Sequence, residues 1–152
     1  MESKMKIEIH QGTVADVLIV DQQIPEFDNR NTHEKLTQRL SDKKHLILVA
    51  VSEGIPVAYK MGYQLSDSDS DSEFYSWLGG VVPSARKQGI ATQLRVIQEE
   101  WAKKQGYEAI SVKSMNRYPA MLQLLISSGY HISGYEDEGS SDNSKIKFLK
   151  KL

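Results

Sequence analysis

The spacing of hydrophobic and polar positions changes period several times along this chain, and each change marks an element. Lys6 to His10 alternates as a half-exposed strand does. Val14, Val17, Leu18 and Ile24 then recur at helical spacing, and Pro25 is expected to end that helix. Thr32 can cap a second helix with Leu36 and Leu40 as its apolar stripe. Leu46 to Val51 is a continuous apolar run rich in β-branched residues, which predicts a buried strand. Glu53-Gly54 turns the chain into a second run, Ile55 to Leu65, so the two predict a hairpin. Ser66 to Ser72 alternates serine with aspartate and cannot pack. It predicts a solvated loop, although its charge could also attract a cationic acceptor or a divalent cation. Glu73 to Val82 predicts a third central strand.

Ile90, Leu94, Ile97 and Trp101 form the clearest amphipathic helix in the chain, and Gly106 stops it. Ala109 to Val112 reads as a strand. Tyr118 to Ser128 reads as a helix, with Pro119 in its first turn and Gly129 just past its end. Tyr130 to Tyr135 and Lys145 to Leu149 close the pattern as two strands around a polar loop. The order β-α-α-β-β-β-α-β-α-β-β mixes hairpins with strand–helix–strand crossovers. That predicts an α/β (or α+β) sheet with helices on both faces. No repeat or linker interrupts it, so residues 1–152 are expected to form one domain.

Composition narrows the chemistry. The chain has 152 residues with 19 basic and 20 acidic side chains, a formal net charge of −1. This argues against a general nucleic-acid binder, which carries a basic excess. There are no cysteines, so disulfides, thiolate metal sites and a cysteine nucleophile are all ruled out. His10, His33, His45 and His131 have no metal-ligand spacing, so no metal is expected. The first residues lack a signal-type apolar segment, and no run approaches the roughly 18 residues needed to cross a bilayer. A cytoplasmic location without membrane contact is the expectation.

The informative stretch runs from Tyr75 to Leu94. Gly79 and Gly80 sit inside a strand, where glycine often marks a bulge or the close approach of another molecule. Pro83 ends strand pairing. Arg86-Lys87-Gln88-Gly89-Ile90-Ala91 then enters the helix. The first helical amides lack intrahelical partners, and the helix dipole adds partial positive charge. No capping side chain fills this end, and Arg86 and Lys87 flank it. A basic, glycine-lined helix start of this kind is a phosphate site. It lacks the Gly-Lys-Ser/Thr of a P-loop and the three glycines of a dinucleotide fingerprint.

Arg86, Gly89 and Ala91, preceded by Val81-x-Pro83 and followed by Ile90 and Leu94, match the Arg/Gln-x-x-Gly-x-Gly/Ala signature. On these residues the chain resembles the GCN5-related N-acetyltransferase (GNAT) superfamily, from about Leu46 to Tyr135. The resemblance implies a mixed, mostly antiparallel sheet of six to seven strands. It also implies acetyl-CoA as cosubstrate and an amine as acceptor, with a homodimer as one assembly. Backbone amides of Lys87, Gln88, Gly89, Ile90, Ala91 and Thr92 would hold the pyrophosphate. Gly79, Gly80, Val81 and Val82 would pair with the pantetheine arm in a gap beside their strand. Asn116 would contact that arm or support the adjoining loop.

Transfer needs a neutral amine, whereas an alkylamine is mostly protonated at neutral pH. A base must therefore act, directly or through water. Many members of the superfamily place an acid on this strand, and here it is Glu73. The usual tyrosine that protonates the leaving thiolate is replaced by Leu125, leaving Tyr118, with Tyr130 behind it, as candidates. Trp77 could line the acceptor pocket, Ser111 and Lys113 alternate on the next strand and could face the site, and His33 and Glu34 lie where relatives often build the acceptor wall. The reading is an N-acetyltransferase acting by direct attack in a ternary complex. The alternatives are an acyl-CoA sensor without turnover and a phosphate-binding domain unrelated to coenzyme A. The identity of the acceptor stays open.

Overall fold

A computed structural model of the chain describes residues 5–27, 30–65 and 72–152. Most of the Ser66–Ser72 tract therefore lies outside the described residues. Strand β1 (Glu8–Gln11) leads into helix α1 (Val14–Asp21), which opens on a capping box. There Asp16 N–H donates to Thr13 Oγ1 at 3.3 Å and Thr13 N–H donates to Asp16 Oδ2 at 2.9 Å. The helix stops three residues short of Ile24. Gln23 and Ile24 bond back to Val20 and Asp21 in turns, and Pro25 opens a 3-10 turn, Pro25–Phe27. Ile24 is buried from this turn and not from the helix face the spacing suggested. Helix α2 (His33–Leu40) is capped by Thr32, as expected.

Strands β2 (His45–Ser52) and β3 (Ile55–Gln64) form the expected hairpin. Its turn residues Glu53 and Gly54 are both left-handed, at φ 51° and 79°, the combination that suits a two-residue hairpin. Strand β4 (Glu73–Val81) follows, then a second 3-10 turn at Pro83–Ala85 and helix α3 (Ile90–Lys104). Strand β5 (Ala109–Met115), helix α4 (Pro119–Ser127) and strands β6 (His131–Glu136) and β7 (Lys145–Lys151) complete the chain. The seven strands lie in the order β1-β2-β3-β4-β5-β7-β6. Every neighbouring pair is antiparallel except β4–β5.

Alternation across β3 shows how the two faces are filled. The buried Tyr59 hydroxyl donates to Asp21 of α1 at 2.7 Å, which fixes one face. Gly62 faces the other way, where an added Cβ would lie 2.6 Å from the Phe74 ring. Phe74 in turn meets Trp101 of α3 at 5.2 Å and Tyr107 at 5.4 Å between centroids. Helices α1 and α3 thus cover opposite faces, and the buried apolar residues form one cluster between them and the sheet.

The parallel pairing of β4 with β5 is short. It joins Glu73–Ser76 to Ala109–Val112 and then ends. On the β3 side, Met61 faces Leu78 while Gly62 faces Ser76, so Trp77 is an extra residue forming a bulge. Beyond it β4 stays with β3 as far as Val81, and β5 stays with β7 as far as Met115. The sheet opens into a V.

Helix α3 bridges the two halves through Glu99. Its carboxylate accepts from Arg95 at 3.0 Å, from the Tyr130 hydroxyl at 2.9 Å and from Lys150 of β7 at 2.9 Å. Burial alone would raise its pKa, but hydrogen bonds from Lys150, Tyr130 and Arg95 outweigh burial and hold it below the ordinary 4.5. A carboxylate shifted down stabilises the fold above its unfolded pKa and loses that contribution as pH falls through its folded value. Glu99→Gln is expected to lower stability by about 1–3 kcal/mol at neutral pH. Thermal melts across pH should show this gap closing below about pH 4.

Candidate active site at the split in the sheet

The open edge of β4 follows from its register. Val82 N–H donates to Val57 O at 2.9 Å, so by alternation Val82 and Gly80 turn their main chain toward β3. Gly79 and Val81 therefore turn theirs toward the gap. Two of the four residues expected to pair with a bound arm are thus corrected: Gly80 and Val82 hold β3 instead. Gly80 is a glycine for another reason. An added Cβ would lie 2.9 Å from Ile24 and from the Phe27 ring. Gly79 is exposed, and a Cβ there would meet nothing closer than the Tyr59 carbonyl at 3.4 Å. Beneath it, opposite in the ladder, lies Lys60. Burial pulls this ammonium down to about 8 against the raising effect of Glu99.

From the end of β4 the chain runs directly into the start of α3. Lys87 and Gly89 are both left-handed, at φ 62° and 79°. The first helical bond is from Gln93 N–H to Gly89 O, and no side chain caps the end. The amides of Lys87, Gln88, Gly89, Ile90, Ala91 and Thr92 have no hydrogen-bond partner among the described residues. An added Cβ at Gly89 would meet nothing within 4 Å, so the space before these amides is clear. Alternating left-handed residues turn successive amides inward as an anion-binding concavity. The expected basic flank is only half present. Arg86 donates to Val81 O at 3.2 Å and pairs with Glu26 at 3.0 Å, which fastens the turn to the first 3-10 segment. Gln88 is also engaged, its side chain accepting from Met5 N–H at 3.0 Å.

On the opposite face, the α2 side, the split opens into a cavity of about 470 Å³. Tyr63, Tyr75 and Trp77 form its aromatic wall, with Tyr63 set edge-on to both neighbours at 5.5 and 5.7 Å. Arg39 of α2 closes one side. It donates to the Tyr63 hydroxyl at 3.0 Å, and its guanidinium lies 4.8 Å from the Trp77 ring centre. Burial, then the neighbouring Tyr63, pushes the Tyr75 hydroxyl up to about 12, so it is no base at neutral pH. Lys113 from β5 and Lys145 and Lys147 from β7 complete the floor. Glu136 bridges Lys113 and Lys147 at 3.1 Å each, and hydrogen bonds from Lys147 and then Lys113 hold its pKa down. A depression of about 580 Å³ at the α2–β2 turn is larger, but it is shallow and away from the split strands.

The other expected residues fall in distinct places. Glu73 lines the same cavity, yet it starts β4 four residues before Trp77, about 13 Å along the strand. Trp77, Ser111 and Lys113 also line it. Tyr118 caps α4 at the open end of β5 and is 44% exposed. Leu125 is buried in the core. Tyr130 is buried too, and its hydroxyl is given to Glu99, so it serves the α3 anchor and not the cleft. Asn116 donates to Ser141 O at 2.9 Å. Arg39, Tyr63, Lys145 and Lys147 were not singled out in the sequence. For Tyr63, Lys145 and Lys147 the only early signal is the alternation that puts every second residue of a strand on one face, and Arg39, on helix α2, had none.

The sequence matches the profile of the Acetyltransferase (GNAT) family over residues 15–124, and the chain belongs to that family of enzymes. No curated protein matches its sequence. Among solved structures it is similar to the ribosomal-protein-alanine N-acetyltransferase of Escherichia coli. The two are 12% identical over 97% of this chain and 94% of the other, with a TM-score of 0.82. A GCN5-related N-acetyltransferase from Kribbella flavida is 17% identical over 96% and 98%, with a TM-score of 0.78. The PaiA N-acetyltransferase of Thermoplasma acidophilum, solved in complex with coenzyme A, is 15% identical over 97% and 100%, with a TM-score of 0.74. These likenesses establish the fold. Among the described residues no helix is long and apolar enough to cross a membrane.

The two strand glycines should separate by experiment. Gly80→Ala must push against Ile24 and Phe27 and is expected to cost about 1 kcal/mol or more. Gly79→Ala meets only ordinary contacts and should stay within about 0.5 kcal/mol of the native protein in denaturant unfolding.

Proposed function

We propose that this protein transfers an acetyl group from acetyl-CoA to a primary amine by direct attack in a ternary complex. One observation carries the reading: a single segment supplies both a strand edge, Gly79 and the Val81 amide, that faces no neighbouring strand and a row of amides from Lys87 to Thr92 with no partner among the described residues. The first suits an extended amide-bearing arm and the second a pyrophosphate. The chemistry that acetyl-CoA supplies is a thioester with a thiolate as leaving group.

The residues then take roles along the split. The acceptor enters from the aromatic cavity, on the opposite face from α3. Its nitrogen bonds to the acyl carbon as the carbon–sulfur bond breaks. Glu73 takes the amine proton through intervening water, because its place along β4 is too distant for direct contact. A β4 amide near Val81 stabilises the developing oxyanion. Tyr118, exposed at the open end, returns a proton to the thiolate. Leu125 favours a second reading, a sensor that binds acyl-CoA without turnover, since no proton donor stands at that position.

Calorimetric titration with acetyl-CoA, and with adenosine diphosphate as comparison, tests the cofactor. Binding on the order of micromolar is expected for acetyl-CoA. Gly89→Pro cannot adopt the left-handed backbone and loses an amide, so affinity should fall at least about tenfold in a variant shown to be folded by circular dichroism. No binding by the native protein, or equal preference for the plain nucleotide, overturns the reading. Tight binding with no thiol release from any amine leaves the sensor.

A further inference from the structure

We propose that the acceptor is a small amine that also carries a carboxylate or phosphate, held by Arg39 and Lys145 on the α2 side of the split. The proposal rests on the acetyl-transfer reading. The cavity of about 470 Å³ is of small-molecule size. Four cations line it, Arg39, Lys113, Lys145 and Lys147. Against them stand Glu73 at the far end and Glu136, which is already shared by Lys113 and Lys147. Among the described residues neither Arg39 nor Lys145 has a carboxylate partner.

Arg39 is held ready for an anion. The Tyr63 hydroxyl and the Trp77 ring fix its guanidinium over the cavity without neutralising it. A planar guanidinium so placed offers paired donors to a carboxylate or phosphate. The aromatic wall below it takes the apolar body of the same molecule and excludes water, which strengthens the ionic contact. A polycation would meet Arg39 and Lys145, two like charges with no carboxylate partner among the described residues.

Matched amines separate the possibilities: phenylalanine against phenethylamine, phosphoethanolamine against ethanolamine, and spermidine as a polycation. With acetyl-CoA, thiol release should show kcat/KM at least tenfold higher for the acidic member of a pair. The pair that responds tells carboxylate from phosphate. Arg39→Gln should narrow that ratio by about tenfold or more, and Lys145→Gln should narrow it less. Preference for spermidine or for the amines that lack an acidic group, or an unchanged ratio in both variants, overturns the proposal. A measurement free of turnover separates it from the function it rests on. N-Acetylphenylalanine, but not its uncharged amide, should shift the Trp77 indole signal saturably in NMR titration, and Arg39→Gln should weaken this. If no amine releases thiol yet the acid titrates Trp77, acetyl transfer falls and the anion site stands. If acid and amide behave alike, the anion site falls whatever the turnover.

Discussion

Everything at the site depends on where β4 stops pairing with β5. Four residue pairs join them, and then the strands part. Unpaired strand edges are ordinarily a liability, because they invite another chain. Here each half is secured on its far side, β4 by β3 and β5 by β7. The bulge at Trp77 directs β4 away while its pairing with β3 resumes within one residue. Helix α3 holds the halves at a fixed separation, because Glu99 joins its own Arg95 to Tyr130 and to Lys150 of β7. The gap is therefore a stable feature with two rigid walls.

The helix start inherits its position from the same strand. Val81 ends β4, and Arg86 bonds back to the Val81 carbonyl, so the intervening turn is short and closed. Lys87 then adopts a left-handed backbone, which an ordinary side chain does only at a cost of about 1–2 kcal/mol. Strain of this kind persists where neighbours impose it and clusters at functional positions. The neighbours are visible: Glu26 holds Arg86 before it, and Met5 holds Gln88 after it. The result is a set of amides converging on one concavity, with nothing among the described residues within 4 Å of a Cβ placed at Gly89.

Much of this was legible in the sequence because it is local. The periods of the apolar runs located the seven strands, and Gly89 with its preceding proline located the turn into α3. What was not legible depends on register and on distant partners. Whether Gly79 or Gly80 faces the gap is decided by one extra residue in β4, and a slip of one residue reverses every orientation. Arg86 reads as a free cation until Glu26, sixty positions away, folds beside it. Helix α1 ends early because its last residues turn back on themselves before the proline, which spacing alone does not reveal. The cavity wall is gathered from α2, β3, β4, β5 and β7, and no window of sequence contains it.

That gathering also explains how a chain of net charge −1 can present two anion-seeking surfaces. On the α3 face the attraction comes from main-chain amides and a helix dipole, which charge counting does not register. On the α2 face it comes from side chains that outnumber their acids, since Glu136 is shared by Lys113 and Lys147 while Glu99 is committed to Arg95 and Lys150 and Glu26 to Arg86. The two mechanisms differ in what they select. Amides at a helix start accept any compact phosphate that the backbone can approach. A guanidinium fixed between a phenol and an indole, as Arg39 is between Tyr63 and Trp77, selects by shape and by what lies beneath it.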